Sequence, residues 1–401
     1  MFDNTCLKGV RVLDITRYAS GPTCTMHLAG FGADVWKAER PGSGDETRTY
    51  EPTRDGESSY FHAMNANKHS FTLNYTKPEG REIFLSLAAK VDVVVENTVA
   101  GVLERYGIAY DTLREINPAL IMASISGFGQ KDSPYTNKAA FDGMVQAMSG
   151  MMSVTGYPEQ AGVKAGPALA DIITGYFGAM GILAALYERT VSGKGQHIDA
   201  AMMDCMIASF EHFIPAYAFS GKPMHRIGNG HSAVGCTNSF DTLDGPGTVY
   251  ISCSSDGIAH KIADAIGHPE LKEDPRYATN GSRVEYRDFI DPIINDWTCR
   301  RTREQIAQAF DAVGIPNGPV NSIADVYHDP HVAQRGLIVK YRHAEKGTEI
   351  PLVRTPLKFS RTPVREDGPG PVLGDYNEYI YKDVLQLSSE RIDDLRGKGI
   401  I

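Results

Sequence analysis

A single carboxylate heads a long uncharged run. The stretch "GPALADIITGYFGAMGILAAL", Gly166 to Leu186, has Asp171 as its one charge, and most of its other residues are apolar or small. An aspartate is ionised at pH 7 without assistance, so as a reacting group it could attack an acyl carbonyl with no general base. The same residue could cap a helix starting at Ile172, where the positive end of the helix dipole suits an anion. The run is also about as long as a membrane span. Against the span, a carboxylate in lipid costs several kcal/mol, and no aromatic or basic anchors flank both ends. Gly175, Gly178 and Gly181 recur every three residues on one helix face, which lets another backbone approach closely. A core helix fits that face. Cap and reacting group both stay open on these residues alone.

Composition narrows the remaining chemistry. The chain has 401 residues, enough for two cores, with 42% hydrophobic and 22% charged residues, the balance of an ordinary globular protein. Its net charge is −9 and no block of five or more Lys/Arg occurs, so a nucleic-acid partner is not expected. Any anion it binds must be held by local contacts. Six cysteines are scattered without a CxxC pair, which fits neither a zinc site nor a disulfide framework, and they read as reduced, mostly buried residues. No metal is expected. The opening "MFDNTCLKGVRVLDIT" lacks a basic segment followed by an apolar run, so a cytoplasmic location is the expectation.

The elements that must position Asp171 alternate between strand and helix. "RVLDIT" (Arg11–Thr16), "ADVWKAE" (Ala33–Glu39), "VDVVVEN" (Val91–Asn97) and "ALIMASISGFG" (Ala119–Gly129) read as strands. "GPTCTMHLAGFG", "KPEGREIFLSLAAK" and "YDTLREIN" read as helices between them. Alternation implies a mostly parallel sheet with helices on both faces, and such sheets bind ligands beyond their strands' carboxyl ends. The first strand is followed by "TRYASGP" rather than GxGxxG, so a nicotinamide enzyme is not expected. From about Arg226 the texture turns rich in Gly, Ser and Asn, with a short strand "TVYISC" and a helix "TREQIAQAFDAVG". The expected organisation is a large α/β domain over 1–225, a smaller α+β domain over 226–325 and a return segment, 326–401, completing the first.

Joined together, these segments resemble a known family. "RVLDITRYASGPTCTMHLAGFGADVWKAERPGSGDETR", "NANKHSFTLNYTKPEGR", "VVVENTVAGVLERYG", "FDGMVQAMSGMMSVTG", the Asp171 helix, "GIPNGPVNSIADVYHDPHV" and "LGDYNE" are similar to class III (family III) CoA-transferases, the group of formyl-CoA:oxalate and L-carnitine CoA-transferases. The resemblance covers nearly the whole chain. It implies a Rossmann-like large domain and ring-shaped protomers interlocked as a homodimer. It implies Asp171 as the nucleophile, acyl-CoA and a carboxylic acid as substrates, and no tightly bound cofactor, coenzyme A itself being a substrate. It also implies CoA contacts at Tyr18, Ala19 and Ser20 after the first strand, at Arg40, Leu73 and Thr76, at Asn97 and Thr98, at Arg105 and at Lys138. Gly228, Asn229 and Gly230, in "GNGHS", resemble a loop that closes over the aspartate in relatives, and Tyr60 aligns with an active-site aromatic.

Two other readings share these residues. An α-methylacyl-CoA racemase-like enzyme needs a proton-transfer pair, and Phe141 stands where its histidine would be; phenylalanine carries no proton. A non-catalytic acyl-CoA-binding protein would keep Arg40 and Arg105 but has no need of Asp171.

Overall fold

The computed structural model describes residues 4–342 and 347–401. It divides into two compact units, one of Met1–Met151, Lys164–Ser220 and Gln334–Ile401, the other of Met152–Val163 and Gly221–Ala333.

The first unit is built on six strands: β1 (Arg11–Asp14), β2 (Asp34–Glu39), β3 (His69–Thr72), β4 (Val93–Glu96), β5 (Ile121–Ser126) and β6 (His197–Ala201). Their order across the sheet is β3-β2-β1-β4-β5-β6, and every pairing is parallel. This is a doubly wound order, and the direction of winding reverses between β1 and β4.

Both faces of the sheet are covered, and the strand sequences show why. Leu13, Trp36, Phe71, Val94 and Met122 point to one face, where they pack on Ile83, Phe84 and Leu87 of the helix Pro78–Ala88. Their immediate neighbours Val12, Val35, Val93, Val95, Ile121 and Ala123 point to the other face. That second face meets α1 (Ser20–Gly30) and α2 (Leu169–Ser192). Runs apolar at every position are what a sheet buried on both sides requires. Each fully buried large side chain contributes about 1.5–3 kcal/mol.

The C-terminal residues close the β3 edge. Tyr376 N–H donates to Ser70 O at 2.8 Å, and Asp375 and Asn377 side chains accept from the Ser70 and Thr72 N–H groups at 3.0 and 2.8 Å. Ile380, Tyr381, Ile392 and Leu395 join the core on that side. An otherwise exposed edge strand is thereby covered.

The second unit holds an antiparallel three-stranded sheet of Asn238–Thr242, Gly245–Ile251 and Asn317–Pro319. Phe240, Val249, Ile262, Ile290, Ile294 and Phe310 form its core. The helix Arg303–Asp311 there begins on a capping box, Thr302 with Gln305.

Among the described residues α2 is the one helix long and apolar enough to cross a membrane. Its Ala170, Thr174, Gly175, Gly178, Ala179, Ile182 and Ala185 are buried inside the protein. The expectation that this helix starts at Ile172 with Asp171 as its cap is corrected: it starts at Leu169, Ala168 is the cap residue, and Asp171 lies in the first turn. Leu169 and Ala170 are good helix formers, and Ala168 is followed by no competing breaker.

Packing of α2 on α1 depends on glycine. A Cβ on Gly175 would sit 2.7 Å from Thr23 Cβ and 2.9 Å from the Ser20 carbonyl oxygen. On Gly181 it would meet only the Ile198 side chain, Cγ2 at 3.2 Å and Cδ1 at 3.7 Å. Gly175→Ala is therefore expected to destabilise the protein, because overpacking of about 1–3 kcal/mol outweighs the helix-propensity gain of about 1 kcal/mol. Gly181→Ala, facing a side chain that can give way, should be neutral or stabilising. Urea denaturation of the two variants checks the ordering.

Candidate active site

Asp171 shares one face of α2 with Gly175, Gly178 and Ile182, at helical spacing i, i+4, i+7 and i+11. That face rests on α1, so Asp171 is carried to the start of α1 and to the carboxyl end of β1. A cavity of about 490 Å³ opens there. Its walls come from the segments that follow β1, β2, β3, β4 and β5, with Asp171 and Met202 beside them. It lies at the reversal of strand order, where open α/β sheets place their ligands.

The Asp171 carboxyl is half-buried and pushed up to about 6, first by burial and then by the carboxylate of Asp142; the hydroxyl and N–H of Ser20 oppose the rise. Asp142, at the start of the helix Asp142–Met148, is held in place by the Ala170 N–H at 2.8 Å and the Gln146 side-chain amide at 2.8 Å. The Tyr60 hydroxyl is raised by burial and by the charge of Asp171. Ser20 opens α1, whose cap residue Ala19 makes no side-chain bond, so N–H groups at that end have no intrahelical acceptor. A half-buried, electron-rich carboxylate beside amide donors suits attack on a carbonyl carbon.

Several expected residues line this cavity together: Tyr18, Ser20, Arg40, Leu73, Thr76, Asn97, Thr98, Lys138 and Asp171. Tyr18 adopts a left-handed backbone, φ 65°, and its ring meets Phe141 edge to face at 6.0 Å. Arg40 is 62% exposed and lies 3.8 Å from Glu46, so its guanidinium is open to a ligand. Lys138 is exposed, over the ring of Tyr135. Asn97 spends its side chain inside the protein, accepting from Arg17 N–H at 2.9 Å and donating to Arg17 O at 2.7 Å. Thr98 likewise donates its N–H and hydroxyl to Glu96, at 2.7 and 2.6 Å. What these two offer the cavity is backbone.

Other expected residues stand elsewhere. Ala19 is buried and is not part of the cavity wall. Arg105 is exposed on the short helix Val102–Tyr106, which presents Val102 and Tyr106 to the cavity instead. Gly228, Asn229 and Gly230 belong to the second unit. There Gly228 N–H bonds Gly156 O at 2.9 Å, and Asn229 donates to Ser239 Oγ at 2.8 Å.

Lys37, Glu39 and Asp45 line the cavity and belong to a charge network, extending behind the wall to Asp14, Lys68 and Arg48, that the sequence reading passed over. Lys37 Nζ is buried, 2.9 Å from Asp45 and 2.8 Å from Thr16 O. Asp14 pairs with Lys68 at 3.0 Å, both side chains with no exposure. Glu39 accepts two bonds from Arg48, at 2.8 and 2.7 Å. A signal was present: "VLDIT" and "VWKAE" each interrupt an apolar strand with a charge that has nowhere to go but inward. No group of His, Cys, Asp or Glu that could hold a metal occurs among the described residues.

This architecture is that of the CoA-transferases. Residues 7–377 match the profile described as CoA-transferase family III, and the chain belongs to that family. The succinate–glutarate CoA-transferase of Agrobacterium fabrum is 39% identical, covering 94% of this chain and 95% of that protein. The succinyl-CoA–D-citramalate CoA-transferase of Chloroflexus aurantiacus is 36% identical, with 98% of each covered. Among solved structures, a CAIB/BAIF family protein from Brucella suis superposes with a TM-score of 0.84 at 37% identity, covering 95% of this chain and 100% of that one. The protein is an enzyme, a family III CoA-transferase.

The perturbed carboxyl has a measurable signature. Because Asp171 holds its proton up to about pH 6 in the folded protein against an ordinary 3.8, its ionised form costs stability above that pH. The cost fades as pH falls from 6 toward 3.8. Asp171→Asn should raise the thermal midpoint at pH 7 and leave it unchanged near pH 4, in parallel melts of variant and wild type.

Proposed function

We propose that this CoA-transferase moves CoA from a dicarboxylic acyl-CoA to a second carboxylic acid through covalent intermediates on Asp171. The observation that carries the reading is the position of Asp171: a half-buried carboxylate in the wall of a cavity of about 490 Å³ in the first unit, next to the amide end of α1. The substrate class rests on relatives, whose names specify succinate with glutarate and succinyl-CoA with D-citramalate.

An Asp171 oxygen attacks the thioester carbonyl, and the C–S bond breaks to give an aspartyl-acyl anhydride and CoA thiolate. The Ser20 N–H, which bonds the Asp171 carboxyl, is the donor proposed to stabilise the oxyanion on the aspartyl carbon in the step that follows. The thiolate then attacks the aspartyl carbonyl. The donor acid leaves with one oxygen taken from Asp171, and an aspartyl-CoA thioester remains. The acceptor carboxylate attacks that thioester, and the thiolate finally attacks the acceptor's acyl carbon, restoring the Asp171 carboxylate. No step needs an external proton, which suits a carboxylate nucleophile that is ionised above about pH 6. Phe141 at the cavity mouth supplies no partner for racemisation.

CoA carries a diphosphate and a 3′-phosphate. Arg40, Arg17 and Lys138 at the cavity lip are the cations proposed to meet them, with Leu73 and Thr76 beside the adenine and the backbone at Asn97 and Thr98 beside the diphosphate. Ala19 and Arg105 lie off the cavity wall, so any part they take is through the turn and helix they belong to. The Gly228–Gly230 loop closing over Asp171, an interlocked homodimer and a cytoplasmic location complete the proposal on the strength of family resemblance.

Two substitutions separate chemistry from binding, with succinyl-CoA as donor and glutarate as acceptor. Asp171→Ala should fold, bind CoA and lose essentially all transfer. Turnover within about tenfold of wild type, only about 1.4 kcal/mol, would be too small for the loss of a covalent step. Arg40→Ala should raise the KM for succinyl-CoA by about 1.5–3 kcal/mol equivalent while kcat changes little, the pattern of lost uniform binding. An unchanged KM would place the phosphates elsewhere.

A further inference from the structure

We propose that the buried Asp14–Lys68 pair is a positioning device for the transfer: it clamps both ends of the turn from Thr16 to Pro22 and so holds Ser20 against Asp171. The inference rests on the reading of Asp171 as nucleophile, and it concerns residues that touch no substrate.

Every donor and acceptor in the clamp is used. The Lys68 ammonium has three protons, and its Nζ lies 3.0 Å from Asp14 Oδ2, 3.0 Å from Pro22 O and 2.8 Å from Asn65 Oδ1. Asp14 accepts in addition from Thr16 N–H at 2.8 Å, Thr16 hydroxyl at 2.6 Å and Thr25 hydroxyl at 2.6 Å. The Thr16 carbonyl accepts from Lys37 at 2.8 Å, and Lys37 is fixed by Asp45. Thr16 and Pro22 are therefore both tied to one buried ion pair. Between them the chain has Tyr18 in the left-handed region and Gly21 so close to Thr16 that a Cβ would lie 2.4 Å from Thr16 Cβ. A turn held in that conformation springs to another when its ends are released.

The pair is a poor device for stability alone. Replacing a buried ion pair by apolar or neutral groups is often neutral or stabilising. Burial pulls the Lys68 ammonium down to about 8, despite Asp14 and Asp45 and helped by Lys37. A lysine whose proton is held less tightly folded than unfolded costs stability at every pH below that value. Folding disfavours the Lys68 charge, while Asp14, despite its burial, is held below the ordinary carboxylate range by Lys68 and Lys37; the pair sits at the point where the turn must not move.

The test is the double variant Asp14→Asn/Lys68→Met, which leaves no unpaired buried charge, with succinyl-CoA and glutarate as probes. Expected are a thermal midpoint equal to or above wild type, a KM for succinyl-CoA within about threefold, and kcat lowered about tenfold or more. The rate at which intact-protein mass spectrometry detects the Asp171 adduct in a single turnover should fall by the same factor. A kcat within about threefold of wild type overturns the proposal, and so does a kcat loss that tracks a lowered thermal midpoint. Should the double variant not fold, Thr16→Val decides: it removes one hydroxyl from Asp14 and should cut kcat several-fold in a folded protein, whereas an unchanged kcat contradicts the clamp. If wild type turns over without an adduct on Asp171, the nucleophile reading fails, while the clamp is still judged on kcat.

Discussion

Two helices of this enzyme approach closely because one of them presents glycine to the other, and the site depends on that contact. Gly175 and Gly178 of α2 bring its backbone onto Ser20, Thr23 and Cys24 of α1. At larger separation, the first turn of α2 and the first residue of α1 would not share one cavity wall. Asp171 lies one turn ahead of Gly175 on the same face, so the close approach that buries the helix also delivers the carboxylate to the amide end of its neighbour. The cost of this arrangement is a raised carboxyl pKa, from burial and from Asp142. The same cost makes the carboxylate more basic, and hence a better nucleophile, than a solvated one.

Charge is partitioned around the cavity. At the floor and in the layer behind it, Asp14, Glu39 and Asp45 are matched by Lys68, Arg48 and Lys37 within 3.0 Å. Pairing of that kind neutralises the floor and fixes the strand ends. Arg17, paired with Glu46 at 2.7 Å, and the exposed Arg40 and Lys138 also line the cavity, in a protein whose net charge is −9. Long-range attraction of an anionic thioester is absent from such a chain, and recognition must come from those few local cations.

The parts of the fold written as apolar runs were readable before the structure. "RVLD", "DVWKAE", "VVVE" and "IMASIS" are strands because both faces of a parallel sheet are buried, and continuous β-branched runs suit that environment. Asp171 was readable because a lone charge in an apolar run demands a reason. The start of its helix was misplaced by three residues, since a favoured capping residue outweighed the helix-forming Leu169 and Ala170 in the local pattern. Asn97 and Thr98 were located at the cavity, but Asn97 spends its side chain on Arg17, 80 positions away, while Thr98 turns back on Glu96, two positions away. The floor network was passed over for the same reason: Asp14 and Lys68 are 54 positions apart and meet only when β1 and the segment before β3 fold together.

The most direct measurement of the Asp171 chemistry follows oxygen rather than rate. In the proposed sequence the acceptor acid leaves one carboxylate oxygen on Asp171, and the next donor acid removes it. Wild-type enzyme taken through a single turnover with succinyl-CoA and glutarate labelled with oxygen-18 in its carboxylates should yield a peptide containing Asp171 that is heavier by one oxygen-18. Labelled peptide at Asp171 is the result required. Product formation with an unlabelled Asp171 would show that CoA passes between the acids without it, and would contradict the covalent route.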